Sequence, residues 1–362
     1  MTETTYVTDR TRPPAAETWW TERVGYLAAG WAALYGALAL VWTITGDGYP
    51  FAHDLSHGVS LLRVLPVGVG APLFAAVLLT TAAAALAMAG PLAVRPPGIL
   101  RTLLLGYGWL VAAALLLVVP DYEVLAVAGY APMLLLSVPL GWPVEYAEVF
   151  DWTLANKVFA VFGGVLLARA VLTWQLRTAP ACPWCGRRAG GASWTSAASA
   201  ARWGRWAVVV AAIIPVLYSI TRFAWLAGIP LGISADSLAE LQESGAVWAG
   251  AGLGAFGVVG AVLTVGLVRP WGERFPRWMI GLAGRRVPVK LAVVPASLVA
   301  VAVTAAGLAL LSQPLLWDGL TSFNLSIMPM ALWPVWGIAL GAAALAYHLR
   351  RRGGCARCGR AG

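Results

Sequence analysis

The sequence predicts an all-α fold: a polytopic transmembrane helix bundle of about eight spans, built as a parallel 4+4 internal repeat with both termini in the cytoplasm. Three observations lead there. The 362 residues are 60% hydrophobic and only 11% charged, whereas soluble domains carry about 25% charged residues. The apolar residues gather in stretches long enough to cross a bilayer, and mean hydropathy is +0.75. The basic residues fall in the short loops between those stretches. Together these exclude a nucleic-acid-binding protein, a disordered chain and an ordinary cytosolic enzyme. The net charge of +9 reads as membrane topology rather than affinity for nucleic acid.

The elements follow in order. Residues 1–20 form a polar cytoplasmic tail, too long to precede a cleavable leader's short apolar core, so the first span is expected to remain as an anchor. A spanning helix needs about 20 mainly apolar residues. Eight stretches qualify: 24–45, 67–90, 100–119, 153–174, 206–228, 247–268, 291–311 and 327–347. No strand-like alternation appears, and backbone in lipid must satisfy its own hydrogen bonds, so these are helices. With the N-terminus inside, all but Arg63, Lys157 and Arg222 of the 25 Lys and Arg residues fall on the cytoplasmic side. The expected location is the inner (plasma) membrane.

One segment resists this scheme. Residues 122–142 are apolar enough for a ninth span, but a ninth crossing would reverse the charge bias downstream. Pro132 and Pro139 favour a broken, re-entrant or surface-lying helix. A true ninth span is the alternative.

An internal duplication is legible. Cys182-Pro-Trp-Cys185-Gly186-Arg187 closes the first four spans and Cys355-Ala-Arg-Cys358-Gly359-Arg360 closes the second four, at an offset of 173. The same offset relates Glu145 to Asp318, Asp151 to Asn324 and Gly164 to Gly337. Tyr35 and Trp42 match Tyr218 and Trp225 at an offset of 183, and Arg101 matches Lys290 at 189. The alternative is chance similarity among Ala- and Gly-rich helices. The domain organisation that follows is a tail at 1–20, a first repeat at 21–188, a linker at 189–202 and a second repeat at 203–362. An even number of spans per half gives parallel repeats, related by an axis along the membrane normal.

All four cysteines lie in the two Cys-x-x-Cys-Gly motifs, on this topology at the cytoplasmic ends of equivalent helices. Such a turn aims two sulfurs at one point, and two turns complete a tetrahedral four-thiolate site suited to structural zinc. Arg187, Arg188, Arg357 and Arg360 offset the net negative charge of such a site. Reactive dithiols and metal-free thiols are the alternatives. The motifs resemble zinc-ribbon knuckles, most closely at Cys182-Pro-Trp-Cys185-Gly186.

Other candidates are weaker. His53, Asp54 and His57 form a His-Asp-x-x-His cluster in the first outer loop, suited to a metal or to plain solvation. Arg222 sits within span five where its repeat counterpart is Ala39. A charge at that depth faces a partner or a cavity, or snorkels to the headgroups. Glu145, Glu148, Asp151 and Asp54 are its candidate partners. Asn156 and Lys157 read as interfacial, with membership of the same polar cluster as the alternative. The loop Arg269–Lys290, with Trp271, Phe275, Trp278 and Met279 among arginines, suggests a short helix lying in the inner interface near anionic lipids. An ordinary positive-inside loop is the alternative. No Walker, kinase, Gly-x-Ser-x-Gly or His-Glu-x-x-His motif is present.

The stretches LYSITRFAWLAGIPLGIS, RPWGERFPRW, RRVPVKLAVVPASLVA and YHLRRRGGCARCGR resemble uncharacterised integral membrane proteins of high-GC actinobacteria. The preference for arginine over lysine, which occurs only at Lys157 and Lys290, agrees. That resemblance implies a bacterial membrane location and no particular chemistry. The expected partners are the bilayer and anionic lipids at the cytoplasmic face, not nucleic acid. The functional expectation is a permease-like membrane protein with a zinc clasp between its halves. A sensor or scaffold acting through the Cys/Arg surface, or an intramembrane enzyme using the outer polar groups, are the alternatives.

Overall fold

A computed structural model describes residues 15–51, 61–90, 98–141, 146–187, 194–321, 324, 327–355 and 357–359. Helices α1 (Ala15–Thr45), α2 (Val67–Ala89), α3 (Gly98–Leu117), α4 (Tyr122–Leu140), α5 (Tyr146–Val149) and α6 (Trp152–Thr178) lead to the first cysteine motif. Helices α7 (Ala197–Leu226), α8 (Ala235–Glu243), α9 (Ala246–Gly266), α10 (Val289–Leu311), α11 (Pro314–Thr321), α12 (Met328–Ala331) and α13 (Trp333–Arg351) lead to the second. Among the described residues there is no strand, only an isolated bridge between Arg274 and Arg286.

Among the described residues seven helices are long and apolar enough to cross a membrane: Arg23–Thr45 of α1, then α2, α3, α6, α7, α9 and α10. They make the chain a multi-pass membrane protein. The eighth expected span corresponds to α13, whose last turn carries His348, Arg350 and Arg351.

Side-chain caps start several helices. Asp121 accepts from the Glu123 amide, Asp151 from Leu154, Ser196 from Ser199 and Ser234 from Ser237. Each satisfies an amide that the first turn leaves without a helical partner. Proline sits inside α7 at Pro215. There Ser219 donates both to the Pro215 carbonyl at 2.7 Å and to the Gly254 carbonyl of α9 at 2.8 Å, so the site of the missing amide is also a helix contact.

Glycine sets the close approaches, as expected where packing rather than hydrophobicity joins helices. A methyl at Gly163 would overlap the ring of Trp31 in α1, and one at Gly164 would crowd Leu115 and Leu116 in α3. A methyl at Gly337 would overlap Thr304 and the Ala300 carbonyl of α10. In the first half α1 pairs with α2, α3 with α6, and α1 with α6. In the second, α7 pairs with α9, α10 with α13, and α7 with α13. Helix α10 also packs on α3 and α4, joining the two sets.

Two local expectations are corrected. Residues 122–140 form one continuous helix, not a broken one, although they include Pro132 and Pro139. Each proline removes a single backbone bond, and apolar surroundings make the remaining bonds too costly to open. The start of α4 and its residue Leu134 stay near the start of α6. Asp121 bonds Lys157, six residues after the cap of α6, and Tyr146 of α5 donates to the Leu134 carbonyl at 2.8 Å. With α5 helical, the chain from Tyr146 to Asp151 spans on the order of 12 Å, which keeps Leu134 within roughly 20 Å of Asp151. Helix α6 is itself about 40 Å long, so α4 does not reach its far end.

The Arg269–Lys290 loop is the second correction. It holds only a three-residue 3-10 turn, Pro270–Gly272, and then a short ribbon. Phe275 and Gly284 donate to the Arg285 and Phe275 carbonyls, and Val287 to that of Glu273, each at 3.0 Å. Pro276 and Pro288 interrupt a helical run, and Gly281 (φ 85°) and Gly284 (φ 73°) turn the chain. Trp278 and Ile280 stand exposed at the tip.

Candidate metal centre

The sulfurs of Cys182, Cys185, Cys355 and Cys358 all lie within 4.8 Å of one another. Cys182 and Cys185 follow α6, and Cys355 and Cys358 follow α13. Each motif makes the same turn. Gly186 donates to the Cys182 carbonyl and Gly359 to the Cys355 carbonyl, both at 2.8 Å. Gly186 and Gly359 take φ of 70° and 68°, a conformation that side chains disfavour.

The spacing suits a metal. At zinc–sulfur distances of about 2.3 Å, the edge of a tetrahedron is about 3.8 Å. Cys185 Sγ and Cys358 Sγ, 173 residues apart in the chain, are 3.7 Å from each other. That is far beyond the roughly 2.05 Å of a disulfide, and all four cysteines are free.

The two motifs also interlock through their surroundings. Arg187, beside the first pair, donates to the Gly353 carbonyl at 3.0 Å. Arg352, ahead of the second pair, donates to the Cys185 carbonyl at 3.3 Å and to Thr195 at 2.8 Å. The Arg357 guanidinium lies 5.0 Å from the centre of the Trp184 ring. Arg188 and Arg360 fall outside the described residues.

The sulfurs differ in acidity. The backbone amide of Cys185 holds the Cys182 thiol down to about 6, against burial, with help from the Trp184 amide. Burial pushes Cys185 up to about 12. At Cys355 burial opposes ionisation, but the Cys358 and Arg357 amides outweigh it and lower the value. Amides aimed at sulfur are what a thiolate ligand needs.

The remaining candidates scatter. His53, Asp54, His57 and Glu145 lie outside the described residues, as does the side chain of Glu148. Asp151 caps α6 through the Leu154 amide at 2.7 Å, and among the described residues no ion pair joins it to Arg222. Arg222 is 8% exposed. Its guanidinium stacks 4.5 Å from the centre of the Tyr218 ring and 4.2 Å from that of Trp225.

Lys157 is the residue whose importance the sequence hides. It is completely buried, 2.7 Å from the equally buried Asp121 and bonded to Glu123 as well. Beside it Asn156 accepts from Tyr35 at 3.0 Å. The one available signal was that Lys157 is one of only two lysines and falls inside a span. No family model matches the chain, and neither a curated protein nor a solved structure matches it.

Proposed function

We propose that the protein is a multi-pass inner-membrane protein whose two parallel four-helix halves are clasped on the cytoplasmic face by one structural zinc ion, bound by Cys182, Cys185, Cys355 and Cys358. The observation that carries this reading is the meeting, within 4.8 Å of one another, of four sulfurs from motifs 173 residues apart, with Cys185 and Cys358 at an edge length that fits tetrahedral zinc. Four protein ligands leave no open position, so such an ion holds structure and does not catalyse. Soft thiolates and tetrahedral spacing favour zinc over hard oxygen-seeking cations.

The 4+4 repeat has support beyond the motifs. The same three helix pairings occur in each half. Gly164 meets Leu115, and Gly337 meets Thr304. These pairs are related by 173 and 189, the two offsets by which the sequence relates the helices concerned. In this reading α13 is the eighth span, α4 is an outer-face helix, and the arginine-rich ribbon with exposed Trp278 lies against anionic lipid.

The test is the metal content of the full-length protein purified in detergent, wild type beside Cys355→Ser. One zinc per chain in the wild type, lost in the variant, is expected. A metal-free wild type under reducing conditions, or a variant that keeps its zinc, overturns the clasp.

A permease-like role is the second reading, favoured by one observation. Lys157 and Asp121 are fully buried ionic groups in a membrane chain, and such groups line substrate or ion routes more often than they merely pack.

A further inference from the structure

The ribbon between α9 and α10 sets two arginines against each other. Val287 donates to the Glu273 carbonyl and Phe275 to that of Arg285, each at 3.0 Å. Arg274 and Arg286 stand directly opposite between these two bonds, as an antiparallel pair not bonded to each other. In that register the Cα atoms approach to about 4.5 Å and both side chains leave on the same face. Like charges so placed repel. Six basic residues and a single acid, Glu273, lie from Arg269 to Lys290, and Glu273 pairs with Arg350 of α13. Arg274 and Arg286 are both exposed. Among the described residues neither has an ion-pair partner.

The pair is also held in place. Tyr347 donates to the Gly272 carbonyl at 2.8 Å and Arg351 to the Val287 carbonyl at 3.0 Å. The end of α13 thereby fixes both legs of the ribbon beside the two arginines. Those legs lead out of α9, which ends at Gly266, and into α10, which starts at Val289. Both helices are apolar enough to cross a membrane, so the ribbon stands at the edge of the bilayer. Its tip is apolar, with Trp278 77% and Ile280 99% exposed. Apolar side chains ringed by arginine suit the headgroup layer.

We propose that Arg274 and Arg286 together clamp the phosphate of one anionic phospholipid, with the tip at Trp278 and Ile280 set in the headgroup layer around it. A guanidinium meets a phosphate through two parallel N–H donors, and the anion removes the repulsion between the two cations. A zwitterionic headgroup would bring its own cation among the surrounding arginines, so the net-negative class is favoured. The clamp rests on the lipid-facing ribbon of the proposed function and adds to it a residue pair and a ligand.

The test is amide hydrogen exchange of the full-length protein in nanodiscs. One set holds phosphatidylcholine alone, the other phosphatidylcholine mixed with phosphatidylglycerol. Exchange across residues 274–286 should slow about tenfold in the mixed discs relative to the first set. Arg274→Gln with Arg286→Gln should abolish that difference. Arg277→Gln with Arg285→Gln removes the same charge outside the pair and should keep it. If the first double variant does not fold, Arg286→Gln alone decides, with most of the difference lost. A difference kept by both double variants, or lost equally from both, overturns the clamp and leaves the ribbon against lipid. Exchange as fast in either disc as in detergent overturns the clamp and the lipid-facing ribbon together.

Discussion

Lys157 shows how a single residue outweighs its appearance in the sequence. Its ammonium and the Asp121 carboxylate are both removed from solvent, and Glu123 completes the pairing. Removing one member of such a pair strands the other charge, at a cost of about 3–5 kcal/mol. Lys157→Met should therefore destabilise the detergent-solubilised protein by that amount, measured by unfolding titration. Lys157→Met combined with Asp121→Leu should recover most of the loss, because it strands neither of those charges. A single variant as stable as wild type would remove the triad from the account. Depth along a helix counted from its end placed Lys157 at the interface. What buries it is Asp121, at the turn between α3 and α4, 36 residues away in sequence, and no local pattern reveals that contact.

Helices carry the most legible layer. Among the described residues the runs of apolar residues located seven of the eight expected spans, six of them to within a few residues, because length and composition decide which helices can cross a bilayer. Exceptions cluster where proline or glycine acts against a neighbour that the sequence does not name. Helix α4 stays continuous through two prolines, and the Arg269–Lys290 loop turns as a ribbon rather than a helix. Close crossings make sharper predictions at this scale. Gly163→Leu puts a side chain into the Trp31 ring, and the α1–α6 crossing cannot spread without opening the core of the first half. A loss of several degrees in Tm, or aggregation, is expected. Gly252→Leu, at a glycine with open space around it, should leave Tm within a degree or two. Equal behaviour of the two variants would show that small residues do not set these contacts. Asp151→Ala removes the cap of the buried start of α6 and should cost about 1 kcal/mol in the same unfolding measurement.

At the scale of the whole molecule, α10 packs against α3 and α4, and the four cysteines meet from motifs 173 residues apart. The motifs were legible as two knuckles, and their constant offset gave a reason for them to meet. The arginines that lock them, Arg187 and Arg352, were less legible, because their acceptors are main-chain carbonyls. The His53, Asp54 and His57 cluster lies beyond the described residues. A metal that binds only the folded chain adds its binding energy to stability. Stripping it with a strong chelator should thus lower the Tm of the wild type and leave Cys355→Ser, already metal-free, unmoved. A wild-type Tm indifferent to chelation would mean that the halves hold together without the ion. The coordination shell itself is the most direct test. X-ray absorption at the zinc edge of the purified full-length protein should give four sulfur neighbours at about 2.3 Å. Nitrogen or oxygen in place of two sulfurs, or no zinc signal at all, would contradict a clasp built from both cysteine motifs.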